Sequence, residues 1–511
     1  MSTALLGVDI GTSGCKALLL GTDGVVLAAR TVPYDLMMPR PGWSEQDPES
    51  WVSGASSAIG QVLAARPDVE ILAVGLSGQM HGLVALDADG DVLRPAILWN
   101  DQRSAAEGLA ITEAVGGLEA LLAETNNRML PGYTGSKILW MKRHEPGLFA
   151  RIRRILNPKD YLRFRLTGEY ATEVSDASGT GLFDVRRRRW SARVIEAIGF
   201  DPSLLPPCYE STEVSGRISE IGSRLFGLPA GLPVVGGGGD AVAQTIGSGA
   251  IARDEIQTTI GTAGILASTL DAAAPNPDGR LQVFCNVVPD RWHCMGVSLN
   301  AGGALAWIRQ IAQKFSDLAE TGWHDISYDR LMSCAANSPA GANGLIFLPY
   351  LNGERCPYPD PDARGTFIGL TSRHTESDLI RSVLEGVVFS LKDMSMLMAG
   401  MGVSYRRILA SGGGTSAKLW RQIQADVFGC EVVTTNGAAE GGALGAAFVA
   451  GLGIGVWASD HDAVACCTPL HIETPRARDV VRYNRLFEIY RSLYPTLSQT
   501  FTALADVQID S

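Results

Sequence analysis

Nowhere in the 511 residues does a glycine directly precede a lysine, which excludes a P-loop with its phosphate-reading lysine. Charge is sparse, at 19% Asp, Glu, Lys and Arg, and its balance is acidic, with a formal net charge of −11. A nucleic-acid partner wants a basic face, and the one basic run, Arg186 to Arg189, is short and isolated. The nine cysteines are odd in number and form no Cys-x-x-Cys pair and no His–Cys metal spacing. That pattern fits reduced thiols in a cytoplasm better than a disulfide framework. The strand-like Ala4–Val8 comes at once, with no basic n-region or cleavage site, so no signal peptide is expected. One uncharged stretch, Gly441 to Ser459, is long, yet six of its residues are glycine. It reads as a helix packed tightly into a core, and no membrane partner is expected.

What the chain does have is glycine at turns between apolar runs. At 511 residues and 46% hydrophobic it is too long for one compact core, so two domains or more are expected. The opening alternates strand and turn: Leu5 to Val8, a Gly-Thr-Ser-Gly turn, Ala17 to Leu20, then Gly21 to Gly24 at hairpin positions. Residues 49–66 carry the pattern of an amphipathic helix and Ile71 to Leu76 that of a buried strand, which points to an α/β architecture. The same strand–Gly-Thr–strand device returns at 256–266, so two similarly built lobes are expected, 1–250 and 251–511. Residues 417–428 and 477–504 read as further helices.

Near the middle, Val234-Val235 runs into Gly236 to Gly239 and then Asp240. The β-branched pair reads as a strand end, and the glycines let the backbone approach a ligand. An Asp in that place either caps the next helix or serves as general base for a substrate hydroxyl.

Three turns share a pattern: Asp9-x-Gly11-Thr12-Ser13 and Gly261-Thr262, each between two strands, and Ser411-Gly412-Gly413-Gly414 at a strand–helix junction. The set resembles the sugar kinase/actin/Hsp70 ATPase superfamily, in which two hairpins clasp the phosphates and a glycine turn holds the adenosine. Gly132 to His144 and Gly365 to Glu385 are similar to the two signatures of one branch, the FGGY carbohydrate kinases. Within it, Ser77 to Gly82 looks like the sugar-site loop of the xylulokinases, and Trp43 to Pro48 and Ile97 to Asp101 are similar to segments of the same subgroup.

The resemblance implies an α/β protein with two lobes of the actin-like, ribonuclease H-like fold and a ligand cleft between them. The N-terminal lobe would carry sugar site and base, the C-terminal lobe the nucleotide. It implies ATP-dependent phosphorylation of D-xylulose to D-xylulose 5-phosphate, with another ketopentose, a polyol or glycerol as alternatives. Asp240 would be the general base and Asp9 the Mg²⁺ residue, through water. Gly11, Thr12 and Ser13, with Gly261 and Thr262, would bracket the phosphates. Gly412, Gly413 and Gly414 would contact the nucleoside, with Gly441 and Gly442 nearby. Met80 and His81 would line the sugar pocket, together with Trp99, Asn100 and Asp101. The implied partners are a ketopentose and ATP, and a homodimer is one arrangement to expect. The chain departs from the family pattern at Ala241, where Asn is frequent, and at Ala263, where Ser is frequent.

Overall fold

The computed structural model describes residues 2–276, 278–318 and 326–509. The chain divides into two units. The first comprises Met1–Ile251, Thr269–His293 and Glu440–Thr468, and the second Ala252–Ser268, Cys294–Ala439 and Pro469–Ser511.

The sheet of the first unit contains Ser2–Ile10 (β1), Gly14–Gly21 (β2), Val26–Pro33 (β3), Val69–Gly78 (β4), Val214–Arg217 (β5), Pro233–Val235 (β6) and Gly238–Gly239 (β7). Its order is β5-β6-β4-β1-β2-β3, with β7 on β4. The hairpin β1–β2 is antiparallel, whereas β4 runs parallel to β1 and β7 parallel to β4. Parallel neighbours place the carboxyl ends of β1, β4 and β7 on one edge, where ligands of open α/β sheets bind.

Helix α1 (Pro48–Ala65) follows an Asp47 cap that accepts from the Glu49 N–H, with Pro at the first helical position. Trp51, Val52, Ala55, Ala58, Ile59 and Val62 recur at helical spacing, and all are buried against Leu6, Val8 and Ile10 of β1 in one core. The intervening β1 residues face the other side of the sheet. Helices α2 (Thr134–His144), α3 (Pro158–Thr167), α4 (Val174–Ser178) and α5 (Asp240–Gly247) complete the first 251 residues as far as they concern the site.

The second unit holds the strands Glu255–Ile260 (β8), most of Gly264–Leu270 (β9) and of Trp292–Ser298 (β10), Arg407–Ser411 (β11), Glu431–Thr435 (β12) and Pro469–Glu473 (β13), in the order β10-β9-β8-β11-β12-β13. Here too an antiparallel hairpin, β8–β9, lies beside a parallel strand, β11. The repeat read from the two Gly-Thr turns is therefore a repeat of topology. Helices α6 (Gly302–Leu318), α7 (Glu376–Ala399) and α8 (Lys418–Phe428) belong to this unit.

The glycine-rich stretch forms α9, Gly441–Gly453, and returns to the first unit. A β carbon on Gly7 would stand 1.9 Å from the Ala443 carbonyl oxygen, and one on Gly75 1.9 Å from that of Ala446. Glycine on the strands lets the helix backbone lie directly on the sheet, an approach any larger residue would block. The last helix, α10, runs unbroken over Ala477–Ile509. No helix among the described residues is long and apolar enough to cross a membrane.

Candidate active site

Three strand ends of the first unit assemble one acidic site. Asp9 is the penultimate residue of β1 and pairs in register with Ser77 on β4 and Lys16 on β2. The turn after it is closed by the Gly11 N–H donating to the Gly14 carbonyl at 3.0 Å, and it leaves Ser13 exposed. Gly442, in the first turn of α9, abuts the carboxylate: a β carbon there would stand 2.9 Å from Asp9 Cγ and 2.8 Å from Ser77 Oγ. The positive end of a helix thus meets a buried acid. Asp9 Oδ1 is shielded from solvent with no hydrogen-bond partner among the described residues. Burial pushes its pKa up, while the Ser77 hydroxyl and the Lys16 ammonium pull it down.

Asp240 follows the glycine turn directly. The helix cap is Gly239, so Asp240 is the first residue of α5 and does not itself cap it, contrary to the simpler sequence reading. Its carboxylate accepts from the Ala241 N–H at 2.7 Å and from the Met80 backbone. Burial first, and the Asp9 charge second, push its pKa up to about 7. The turn needs glycine: Gly237 has φ 72, and a β carbon on Gly239 would stand 2.6 Å from Met80 Cγ.

A fully buried ionic cluster supports this turn. Arg163 on α3 donates to the carbonyls of Val235 and Gly236, at 2.7 and 2.5 Å. Lys159 lies 2.7 Å from Asp160, 3.5 Å from Glu173 and 3.4 Å from Asp176. Ser175 Oγ accepts from the Gly239 N–H at 2.9 Å and donates to Glu173. Burial raises the Asp176 carboxyl well above the usual range despite Lys159.

Met80 and His81 leave the end of β4 beside Asp240. His81 has φ 69, its Nδ1 lies 2.5 Å from the Gly179 carbonyl, and its ring stacks on Tyr133 with centroids 4.5 Å apart. The His81 carbonyl accepts from Lys137 Nζ at 2.8 Å and from Thr134 Oγ1 at 3.0 Å. Tyr133, Thr134 and Lys137 lie in the first signature segment, Gly132 to His144, whose pattern carries no sign of the distant carbonyl it grips. They hold the histidine loop. Burial pushes the Lys137 amine well down.

Trp99 Nε1 donates to Thr12 Oγ1 at 3.0 Å, and Thr12 in turn donates to Gln79 at 3.2 Å. The Thr12 hydroxyl is thereby engaged within the protein. Asp101 is fully buried and accepts from the Ser44 N–H at 2.6 Å and from Arg103 Nη2 at 2.7 Å. It pins the Trp43–Ser44 segment. Asn100 borders a shallow hollow shared with Met38 to Ser44, and the Asn100 Oδ1 is buried without a partner among the described residues.

The second unit contains a cavity of about 380 Å³, lined among others by Gly261, Thr262, Gly413, Gly414, Ile260 and Trp420. That volume is in the range of small-molecule sites. The hairpin turn is tied to α6, because the Gly302 N–H donates to the Gly261 carbonyl at 2.7 Å and the Gly303 N–H to that of Thr262 at 3.0 Å. Gly412 has φ 82 and lies beneath the lining, where a β carbon would stand 2.6 Å from the Ile260 oxygen. Gly302, Gly303, Tyr328 and Met332 also line the cavity and were missed in the sequence; the Gly302-Gly303 doublet was the available signal. Gly441, expected near the nucleoside, belongs to the first unit and starts the helix that meets Asp9.

Residues 4–247 match the FGGY family of carbohydrate kinases, N-terminal domain, and residues 257–454 match its C-terminal domain. The chain is 36% identical over 495 residues to the xylulose kinase of Escherichia coli (strain K12), covering 96% of this chain and 99% of that protein. It is 30% identical over 515 residues to the gluconokinase of Bacillus subtilis (strain 168), covering 99% of each. The crystal structure of a xyloylose kinase from Brucella ovis superposes with a TM-score of 0.89 at 35% identity, covering 97% of this chain and 100% of that one. The chain belongs to the FGGY family of carbohydrate kinases. It is a carbohydrate kinase of the actin-like ATPase fold, as the three turns led one to expect.

Proposed function

We propose that the chain transfers the γ-phosphoryl group of ATP to the terminal hydroxyl of D-xylulose, giving D-xylulose 5-phosphate and ADP. The observation that carries this reading is Asp240. Its carboxyl, brought near neutrality by burial and by Asp9, stands at the strand ends beside Met80 and His81. A base with that affinity for protons removes one from an alcohol at neutral pH more effectively than an ordinary carboxylate. The sugar oxygen gives its proton to Asp240 and forms the new O–P bond as the bond between the γ-phosphorus and the ADP oxygen breaks. Positioning and charge stabilisation do most of the remaining work.

Asp9 fits a divalent cation. It offers an acid oxygen without a protein partner, close enough to Asp240 for their charges to interact. Among the described residues no cluster of three or more His, Cys, Asp or Glu forms a metal cage. A cation here would be held by few carboxylates and by water and phosphate, as suits Mg²⁺, whose charge offsets that of the phosphates. In the second unit, Gly413 and Gly414 would admit the nucleoside and Gly261-Thr262 the phosphates. A β carbon on Gly414 would stand 2.4 Å from Ile260 Cγ2, so the cradle has no room for a larger residue. In the first unit Met80 and His81 would contact the sugar, with Trp99 and Asp101 fixing the loops around them.

A second acceptor class, an aldonic acid, is favoured by the gluconokinase relative. Initial rates with D-xylulose, D-ribulose, L-ribulose, glycerol and gluconate, read as ADP release, distinguish the two. Xylulose giving the highest kcat/KM supports the proposal, and gluconate exceeding it would reject it.

A further inference from the structure

Cys466 and Cys467 are adjacent in sequence, follow the short helix Asp460–Val464, and lie outside the residues described so far. Both are half-buried, so reagents reach them. The Cys467 thiol hydrogen-bonds the Cys466 sulfur, which brings the two sulfurs together. That bond holds the Cys466 thiol below its ordinary range, which increases its thiolate fraction, and raises the Cys467 thiol in return. Of the other seven cysteines, half-buried Cys334 hydrogen-bonds the Ser377 hydroxyl at 3.3 Å, burial pushes the half-buried Cys430 thiol up to about 12, and five more offer poorer chemistry. Cys15, Cys285, Cys294 and Cys356 are buried, and burial pushes the Cys285 and Cys294 thiols up to about 12. Cys208 packs beside Cys285, and its thiol is raised well up by burial too.

The pair also touches the helix that carries Asp240. Cys467 Sγ lies 3.7 Å from the carbonyl oxygen of Gly247, the last residue of α5. Eight residues of helix span about 12 Å, so Asp240 and Gly247 are the two ends of one short rod. Gly247 has no slack: a β carbon on it would stand 2.3 Å from the Gly441 oxygen. The Cys466 Cβ is flanked in turn by the β2–β3 turn, where a β carbon on Gly24 would stand 2.3 Å from it.

We propose that Cys466 and Cys467 form a dithiol site that captures trivalent arsenicals of the type R–As(OH)₂, and that the captured group slows phosphoryl transfer through α5. Two S–As bonds form and two As–O bonds break. Both thiol protons leave in two molecules of water, and no oxidation state changes. Soft thiolates are the preferred ligands of such a centre. Bridging both sulfurs draws Cys467 Sγ away from the Gly247 carbonyl, and the far end of the same rod bears the base. This second half of the inference rests on the reading of Asp240 given above.

The test treats the full chain with phenylarsine oxide and reads intact mass and kcat on the same sample. Expected are one tightly held adduct per chain, a fall in kcat of about tenfold or more, and recovery of both on adding excess 2,3-dimercaptopropanol. Cys466→Ser and, separately, Cys467→Ser should each lose the adduct and keep untreated activity. Absence of an adduct, an adduct that persists in either variant, or an adduct with unchanged kcat would overturn the proposal. Untreated protein that phosphorylates no sugar would overturn the functional reading and its coupling to α5, while the mass readout still decides capture.

Discussion

The charge on Asp9 raises the proton affinity of Asp240, so two carboxylates, one near a strand end and one opening a helix, act as one electrostatic unit. A base of this kind is inactive when protonated. The kcat/KM for sugar should therefore rise with pH through a single ionisation near 7 in the free enzyme and level off above it. In Asp9→Asn the residual activity should show that limb moved to lower pH, because one of the two upward influences is gone. A pH–rate series on both proteins checks the shift, and an unmoved limb would separate the two residues.

Asp240→Asn should cost about 10²- to 10⁴-fold in kcat while ATP binding changes little. The same substitution should stabilise the protein at alkaline pH. The folded chain holds the Asp240 proton up to about 7, whereas an unfolded Asp releases it near 3.9. Stability from this group is thus greatest at acid pH and declines as pH rises from about 4 to 7. The variant should gain on the order of 1–4 kcal/mol at pH 8 and nothing near pH 4. Thermal melts at the two pH values read the difference.

Gly442→Ala tests the meeting of α9 with Asp9. The added carbon would stand within 3 Å of both Asp9 and Ser77, so one of them must shift. Activity should fall and the Mg²⁺ concentration for half-maximal rate should rise, with D-xylulose KM nearly constant. Magnesium titrations of the two proteins give the answer.

Lys137→Met removes the ammonium or amine donor from the His81 carbonyl while keeping the length of the side chain. Thr134 still holds that carbonyl, so the protein should fold. Loss of one buried hydrogen bond is worth about 1–3 kcal/mol, which predicts a sugar KM raised roughly 5- to 150-fold with ATP KM unchanged. Equal changes in both KM values would remove Lys137 from sugar positioning.

Gly414→Ala should do the reverse. Its β carbon would press on Ile260 in the second-unit cavity, raising ATP KM with little effect on sugar KM. Nucleotide binding measured by calorimetry gives the same quantity without turnover.

Much of this site could be read from local pattern. The strands around Asp9 and Gly261, α1 with its Asp47-Pro48 start, and the glycine turn before Asp240 all have signals within a few residues. What could not be read depends on partners far along the chain. Lys137 reaches His81, and Lys159 and Arg163 buttress a turn some seventy residues later. Asp101 entered as a sugar-site candidate through the resemblance of its segment to a family one, and its partners Arg103 and Ser44 are not legible from that segment alone. Of the two readings left open for Asp240, the structure excludes the helix cap. An Asp before a helix usually caps it, but here Gly239 takes that place and frees the carboxylate to face Met80.

The docking of α9 on Gly7 and Gly75 has a consequence for synthesis. The face of the sheet that bears Gly7 and Gly75 is covered by a segment more than three hundred and sixty positions after Gly75 and more than four hundred and thirty after Gly7. A nascent chain therefore carries that sheet face bare, and an Asp9 without its glycine helix, until more than four hundred residues have been made. Truncation at residue 430 should leave a product that holds onto chaperones or precipitates, although every strand of its leading half has been made.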